Sequence, residues 1–178
     1  MKIIKLLGPF LLVLGILFPI CSFTQFKMGE YINEITLEKV KDEGNYFAIL
    51  EIDAIGLKRE LFEIDSYENQ VSKNILVHKK SIFPGNDHSH VILAAHSGNG
   101  KSAFFKDLDQ LQLQDEITLY YQGVIWTYEI IEIEEQEKTG VLYLKENDLD
   151  LISLITCTEG KANTQTIFYG KLKEHKNL

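Results

Sequence analysis

Apolar residues in this chain fall into short runs separated by turn residues. From Asn45 onward the runs are Tyr46–Ile52, Ile75–His78, Val91–Ala95, Ile117–Tyr121, Val124–Ile133, Leu151–Thr156 and Thr166–Leu172. Ile, Val, Tyr and Thr are frequent in them, and these branched or aromatic side chains suit a pleated, half-buried surface, so the runs predict strands. Two segments instead space their apolar residues as helices do. One is the short "SYENQVSKN", Ser66 to Asn74. The other is "KSAFFKDLDQLQ", Lys101 to Gln112, which predicts a helix with Phe104, Phe105, Leu108 and Leu111 on one face. Most successive strands have no long helix between them, which excludes an α/β sheet with regular crossovers. The pattern predicts an antiparallel barrel or sandwich with a few helical insertions.

The N-terminus follows another pattern. Lys2 and Lys5 precede an uncharged run from Leu6 to Phe23. As a helix this run covers about 27 Å, enough for a slightly thin hydrocarbon core. Lysines before it and none inside it predict a cytoplasmic N-terminus and a body outside. A cleaved leader would end in small residues, whereas Phe18, Pro19, Ile20 and Cys21 close this one. Ile20 likewise stands where a lipoprotein signal has a small residue. The reading is a retained single-pass anchor over residues 1–23. Residues 24–44, with Phe26, Tyr31, Ile35, Leu37 and Val40 at helical spacing, form a juxtamembrane helix or linker, and residues 45–178 form the body.

Charge narrows the partners. The formal net charge is -8 and Arg59 is the only arginine. Phosphate backbones are bound through Lys and Arg, so a nucleic-acid partner is excluded. Cysteine usage points to chemistry. Cys21 lies in the anchor, leaving Cys157 alone in the body with no partner for an internal disulfide. An unpaired thiol in an exported domain calls for a reason.

Cys157 ends the run "LISLITC", and His96 ends "HSHVILAAH". Taken singly, each fits a core residue at a strand end. Together they share a feature: the apolar run stops and a small polar loop follows, Ser97-Gly98-Asn99-Gly100 after His96 and Thr158-Glu159-Gly160 after Cys157. Such loops leave a side chain accessible at a strand mouth. A thiol beside an imidazole supports acyl transfer through a thioester, because the thiolate attacks and the imidazole protonates the leaving amine. His78, His88, His90 and His96 share even parity, which zinc could use, but "HSH" reads as a turn, with His88 and His90 solvent-facing at the strand start. The acidic "EIEEQE" from Glu132 reads as a solvated edge or loop, with calcium as its other reading. No metal or other cofactor is expected.

At this point the chain resembles the sortases. That pattern places Gly- or Ala-His after a strand, then "FF..L..L", then "TLxTC" at the end of a later strand. Here it stands as Ala95-His96, "FFKDLDQL" from Phe104 to Leu111, and "SLITC" from Ser153 to Cys157, over about Phe47 to Leu172. The resemblance implies a mainly β fold, a closed eight-stranded barrel with short helical insertions, preceded by one transmembrane helix. It implies a cysteine transpeptidase on the outer face of a Gram-positive cell, cleaving a Leu-Pro-x-Thr-Gly-like sorting signal between Thr and Gly. Its partners would be surface proteins or pilins that carry the signal, and an amine of a cell-wall precursor or a pilin lysine. Cys157 would be the nucleophile and His96 the general acid, with Thr156 and Ser97 in contact with substrate. The loop ahead of the cysteine strand, about Glu134 to Asp150, would set recognition.

The chain also departs from the pattern. Sortases carry an arginine at the start of the last strand, and the corresponding residue here is Gln165, with no arginine after Cys157. Glutamine donates a hydrogen bond but has neither charge nor a bidentate fork. Lys161 and Lys101, both in loops, are the alternative sources of charge. The reading that follows from the loss is a catalytically weak or silent peptide-binding domain. A hydrolysing cysteine peptidase is the other alternative, although the order His96 then Cys157 is the reverse of the papain-like order. Gln114-Asp115 stands where the family has Gly-Asp.

Overall fold

The computed structural model describes residues 46–145 and 148–178. The expected anchor and juxtamembrane segment lie outside them. Among the described residues no helix is long and apolar enough to cross a membrane.

The described residues build eight strands: β1 (Tyr46–Ile52), β2 (Leu57–Phe62), β3 (Leu76–Val77), β4 (His90–Ala94), β5 (Glu116–Tyr121), β6 (Val124–Glu137), β7 (Leu151–Cys157) and β8 (Thr164–Asn177). They form one sheet in the order β2-β1-β5-β6-β8-β7-β4-β3. The sheet curls into a nearly closed barrel. The expected full closure is not reached, since β2 and β3 end the sheet without pairing to each other. A side chain bridges the seam instead: Asn74 Nδ2 donates to the Glu60 carbonyl at 2.8 Å and its Oδ1 accepts from Arg59 Nε at 3.4 Å.

β2 escaped prediction because its sequence, "LKRELF", looks too charged for a strand. The charges sit where an edge strand can hydrate them, and Leu61 alone is fully buried. The sheet is also not purely antiparallel. β4 and β7 pair in parallel, His90 with Leu151 through Ala94 with Ile155. A parallel strand in mid-sheet is covered on both faces and reads as a continuous apolar run, which is the character of "LISLIT", buried at every position.

Two faces are packed. Leu50, Val91, Leu93, Ile117, Tyr128, Ile152, Leu154 and Phe168 belong to the buried cluster inside the barrel. On the other side Ile92, Ile155, Ile167 and Tyr169 form a second cluster, covered by Leu142 and Leu144 from the β6–β7 connection. Gly170 of β8 sits where a Cβ would come within 2.8 Å of Ile152 Cγ2.

Neither predicted helix forms. Ser66 to Asn74 makes turns, because Asn69 is captured by the barrel: its Oδ1 accepts from Val77 N at 2.7 Å and its Nδ2 donates to the Ile64 and Val77 carbonyls. Lys101 to Gln112 makes successive turns closed three residues back, among them Ala103 to Gly100, Lys106 to Ala103 and Leu111 to Leu108, with a short 3-10 helix at Leu108–Gln110. Its large buried residues Phe105, Leu108 and Leu111 repeat every third position, the period of stacked 3-10 turns. The apolar side was legible; the tighter winding was not.

The acidic run from Glu132 is strand rather than loop, since Glu132 to Glu137 of β6 pair with Tyr169 to Thr164 of β8. Glu132 and Glu135 are held by Lys145 and Lys161. His90 is likewise not solvent-facing. It is half-buried, and its Nε2 lies 2.7 Å from Ser153 Oγ. Among the described residues no group of His, Cys, Asp and Glu is placed to hold a metal ion.

Candidate active site

The parallel pairing of β4 with β7 decides where the two candidate residues stand. Both strands run toward the same end of the barrel, and Ala94 is level with Ile155. The register continues one step further, where Ala95 N donates to the Ile155 carbonyl at 3.2 Å. Counting on, the backbone of His96 leaves β4 beside the point where Cys157 ends β7.

Two side-chain hydrogen bonds fasten these strand ends. Thr156 Oγ1 donates to the Ala95 carbonyl at 3.0 Å, and Ser97 Oγ donates to the Cys157 carbonyl at 3.0 Å. Thr156 is buried and its hydroxyl is engaged by backbone. Both residues, expected in contact with substrate, use their hydroxyls to join the two strands. The opposite ends of the strands are fastened too, by Asp150 Oδ1 accepting from both the amide and the hydroxyl of Ser89 at 2.8 and 2.7 Å. The parallel pair is thus pinned at its start and at its finish.

The Cys157 thiol is partly exposed and unpaired. It lies on the wall of a cavity of about 300 Å³ together with Ser97, Asn99, Phe105, Glu135, Thr156 and Thr166. Polar groups share its wall with Phe105, Ile133 and Phe168, which makes it a cleft that takes a mixed ligand. His96 is exposed, with its carbonyl accepting from Phe105 N at 3.0 Å, and neither His96 nor Gln165 is among the lining residues.

Gln165 stands directly across from Cys157 in the β7–β8 pairing, and across from Gln136 in the β6–β8 pairing. Cross-strand partners point to the same face, so Gln165 shares the face of Cys157. Its amide puts no charge there. Of the alternative lysines, Lys161 is bound to Glu135 at 2.5 Å, while Lys101 borders a separate hollow with Ile55 and Phe104. Arg59 is turned elsewhere, with its guanidinium 4.2 Å from the Phe104 ring centroid.

One residue at the site had no signal in the sequence. Lys138, the first residue after β6, donates from Nζ to Cys157 Sγ at 2.9 Å. Its backbone is fixed by the bond from Lys138 N to the Asn163 carbonyl at 2.7 Å. β6 and β7 both flank β8, so the contact spans two strand spacings, roughly 10 Å. A lysine stem reaches that far, but nothing local to residue 138 shows that it does.

The loop expected from Glu134 is shorter, since Glu134 to Glu137 belong to β6. It begins at Lys138. Gln136 Nε2 donates to the Tyr143 carbonyl at 2.7 Å, and Leu142 and Leu144 lie on the Ile92, Ile155, Ile167 and Tyr169 face.

Comparison with known proteins gives a consistent picture. The Sortase domain family matches residues 50–173. No curated protein matches the chain. Among solved structures, sortase A of Listeria monocytogenes is similar with a TM-score of 0.63 and 17% identity, covering 76% of this chain and 92% of that one. Sortase C of Streptococcus pneumoniae is similar with a TM-score of 0.61 and 22% identity, covering 73% and 70%. The Sortase D5 transpeptidase of Clostridium perfringens is similar with a TM-score of 0.62 and 24% identity, covering 80% and 89%.

Proposed function

The chain belongs to the sortase family of cysteine transpeptidases, and we propose that it is a membrane-anchored member that cleaves a Leu-Pro-x-Thr-Gly-like sorting signal between Thr and Gly. In this reading Cys157 Sγ attacks the Thr carbonyl carbon, and the carbonyl π pair moves to oxygen. Collapse of that intermediate breaks the C–N bond, and the amine of Gly leaves with a proton from His96. An amine of a cell-wall precursor or a pilin then attacks the thioester carbon, giving a proton back to His96; the C–S bond breaks, the acyl group stays on the amine and Cys157 is released as thiolate. The structure of the pneumococcal sortase C bears on pilin substrate specificity for that protein, which motivates including a pilin lysine among the acceptors.

The observation that carries the reading is the parallel β4–β7 pair: β7 ends in Cys157 on the wall of a cleft, and His96 follows two residues after the end of β4, just before cleft-lining Ser97. The two strands share one sheet and are pinned at both ends, so Cys157 is held at a strand end, and His96 leaves β4 with its carbonyl tied to Phe105 N. Holding reactive groups in place is a large part of what a transferase must do.

The test is incubation of the full-length chain with pooled Leu-Pro-x-Thr-Gly-like peptides and an amine acceptor, read by mass spectrometry, with Cys157→Ala as control. An acyl adduct on Cys157 and amine-capped product are expected. Adduct with only hydrolysed product favours the peptidase alternative. Folded protein that binds peptide but forms no adduct overturns the reading in favour of a silent binding domain, the outcome that Gln165 in place of arginine would explain. A bell-shaped pH profile of kcat/KM is expected for a thiolate working with a protonated imidazole. A rate that keeps rising at high pH counts against His96 as the acid.

A further inference from the structure

We propose that Lys138 is a catalytic residue: its ammonium supplies the positive charge at the Cys157 sulfur that the missing arginine leaves unprovided. The inference rests on the transpeptidase reading for its role in turnover, and on geometry for its role at the sulfur.

The geometry is specific. Nζ of Lys138 is 2.9 Å from Cys157 Sγ, and among the described residues this sulfur is the one hydrogen-bond partner of that ammonium. Other cations at this end of the barrel are committed. Lys161 is bound to Glu135 at 2.5 Å, and Lys106, which also borders the cleft, lies 3.6 Å from Asp107. Lys138 is therefore the cation left facing the nucleophile. The side chain is exposed but its backbone is fixed, since Lys138 N is bonded to the Asn163 carbonyl and Glu137 just before it pairs with Thr164. β8, with Gln165 opposite Cys157, lies between the strands that carry the two residues.

An ammonium at this distance acts in two ways. It donates a hydrogen bond to the sulfur and holds a positive charge against it as the thioester forms and breaks. It also draws an incoming carboxylate or a developing oxyanion toward the sulfur. A lysine is a compact point charge on a flexible stem, so it follows the charge from sulfur to the neighbouring oxygen by a small rotation, where an arginine would hold a fixed fork. No proton or electron pair leaves Lys138 in either role.

The test uses the full-length chain in detergent, with adducts mapped to Cys157 so that Cys21 does not contribute. Second-order rates of alkylation by anionic iodoacetate and by neutral iodoacetamide are compared in wild type, Lys138→Met, Lys138→Arg and, as control, Lys161→Met. Thermal unfolding shows that each variant is folded. A unit charge about 4 Å from the reacting atom is worth roughly fivefold in water, more beside a protein wall. The expected result is a fall of roughly fivefold or more in the iodoacetate to iodoacetamide ratio for Lys138→Met, restored in Lys138→Arg and unchanged in Lys161→Met. With a peptide substrate, Lys138→Met is expected to lose roughly a hundredfold in kcat with little change in KM.

An unchanged reagent ratio in folded Lys138→Met overturns the proposal, whatever the turnover data show. A lost ratio in a wild-type background that forms no product from any peptide supports Lys138 at the sulfur and overturns the transpeptidase reading instead. The two failures are thus distinguishable.

Discussion

The hydrogen bonds that join the ends of β4 and β7 define a perturbation with two readouts. Thr156→Val removes the hydroxyl that donates to the Ala95 carbonyl at 3.0 Å and keeps the side-chain shape. Ser97→Ala removes the hydroxyl that donates to the Cys157 carbonyl at 3.0 Å. A net intramolecular hydrogen bond contributes about 1 kcal/mol, with the buried Thr156 at the upper end of the range and the partly exposed Ser97 at the lower. The double variant is therefore expected to lose about 2 kcal/mol. For a body of this size that is a fall of roughly 6–10 °C in Tm. The larger consequence concerns position. With both bonds gone, the remaining tie at this end is the backbone bond from Ala95 to Ile155, and the two reactive residues lie beyond it. A misplacement near 1 Å costs roughly a hundredfold in rate, so kcat/KM is expected to fall far more than a 2 kcal/mol stability loss explains at a temperature where the variant is fully folded. Thermal unfolding by circular dichroism and peptide turnover on the same samples check this. A double variant that melts earlier but turns over as wild type does would show that these bonds stabilise the sheet without positioning the site. An unchanged Tm would refute the energetic argument itself.

Three further outcomes are expected. Gly170→Ala places a Cβ at 2.8 Å from Ile152 Cγ2, 3.2 Å from Tyr128 Cβ and 3.3 Å from Ile117 Cδ1, all in the barrel interior, so overpacking of about 1–3 kcal/mol should appear in denaturant unfolding. Gln114 adopts φ +77, a left-handed backbone that a side chain resists, so Gln114→Gly should raise Tm through relief of about 1 kcal/mol; a lowered Tm would show that the Gln114 side chain stabilises the turn. Burial lowers the His90 pKa from its ordinary value near 6.5, and burial followed by Lys80 and Lys79 lowers that of His78, so the unfolded chain binds these protons more readily. Their contribution to stability is complete above about pH 7 and is lost as pH falls through 6.5 toward the lowered values; His90→Gln should flatten the drop in Tm between pH 7.5 and 5.5, and an equally steep drop would remove His90 from the account.

Seven of the eight strands were legible because their sequences satisfy local demands. Tyr46–Ile52 was predicted to the residue. The eighth, β2, was hidden because an edge strand keeps charges that an interior strand cannot. Helical spacing at Phe104, Phe105, Leu108 and Leu111 misled because turns of three residues and turns of 3.6 nearly coincide over so short a stretch. Conversely, Gln165 was legible as a departure from the sortase pattern, and the structure places it opposite Cys157.

The sequence by itself determined where apolar runs end, that a histidine closes one and the body's lone cysteine closes another, and that no arginine follows the cysteine. These are properties of the chain order. The tertiary structure decided that β4 and β7 run parallel, that the Thr156 and Ser97 hydroxyls join the two strand ends on the wall of the cleft, and that Lys138 reaches Cys157 across β8. Each of these is a contact between segments far apart in sequence. Strand direction is fixed by the connections around the barrel, and a lysine's reach depends on which strand the sheet inserts beside it. No local periodicity carries that information, because it exists only once the sheet has closed on itself nearly all the way around.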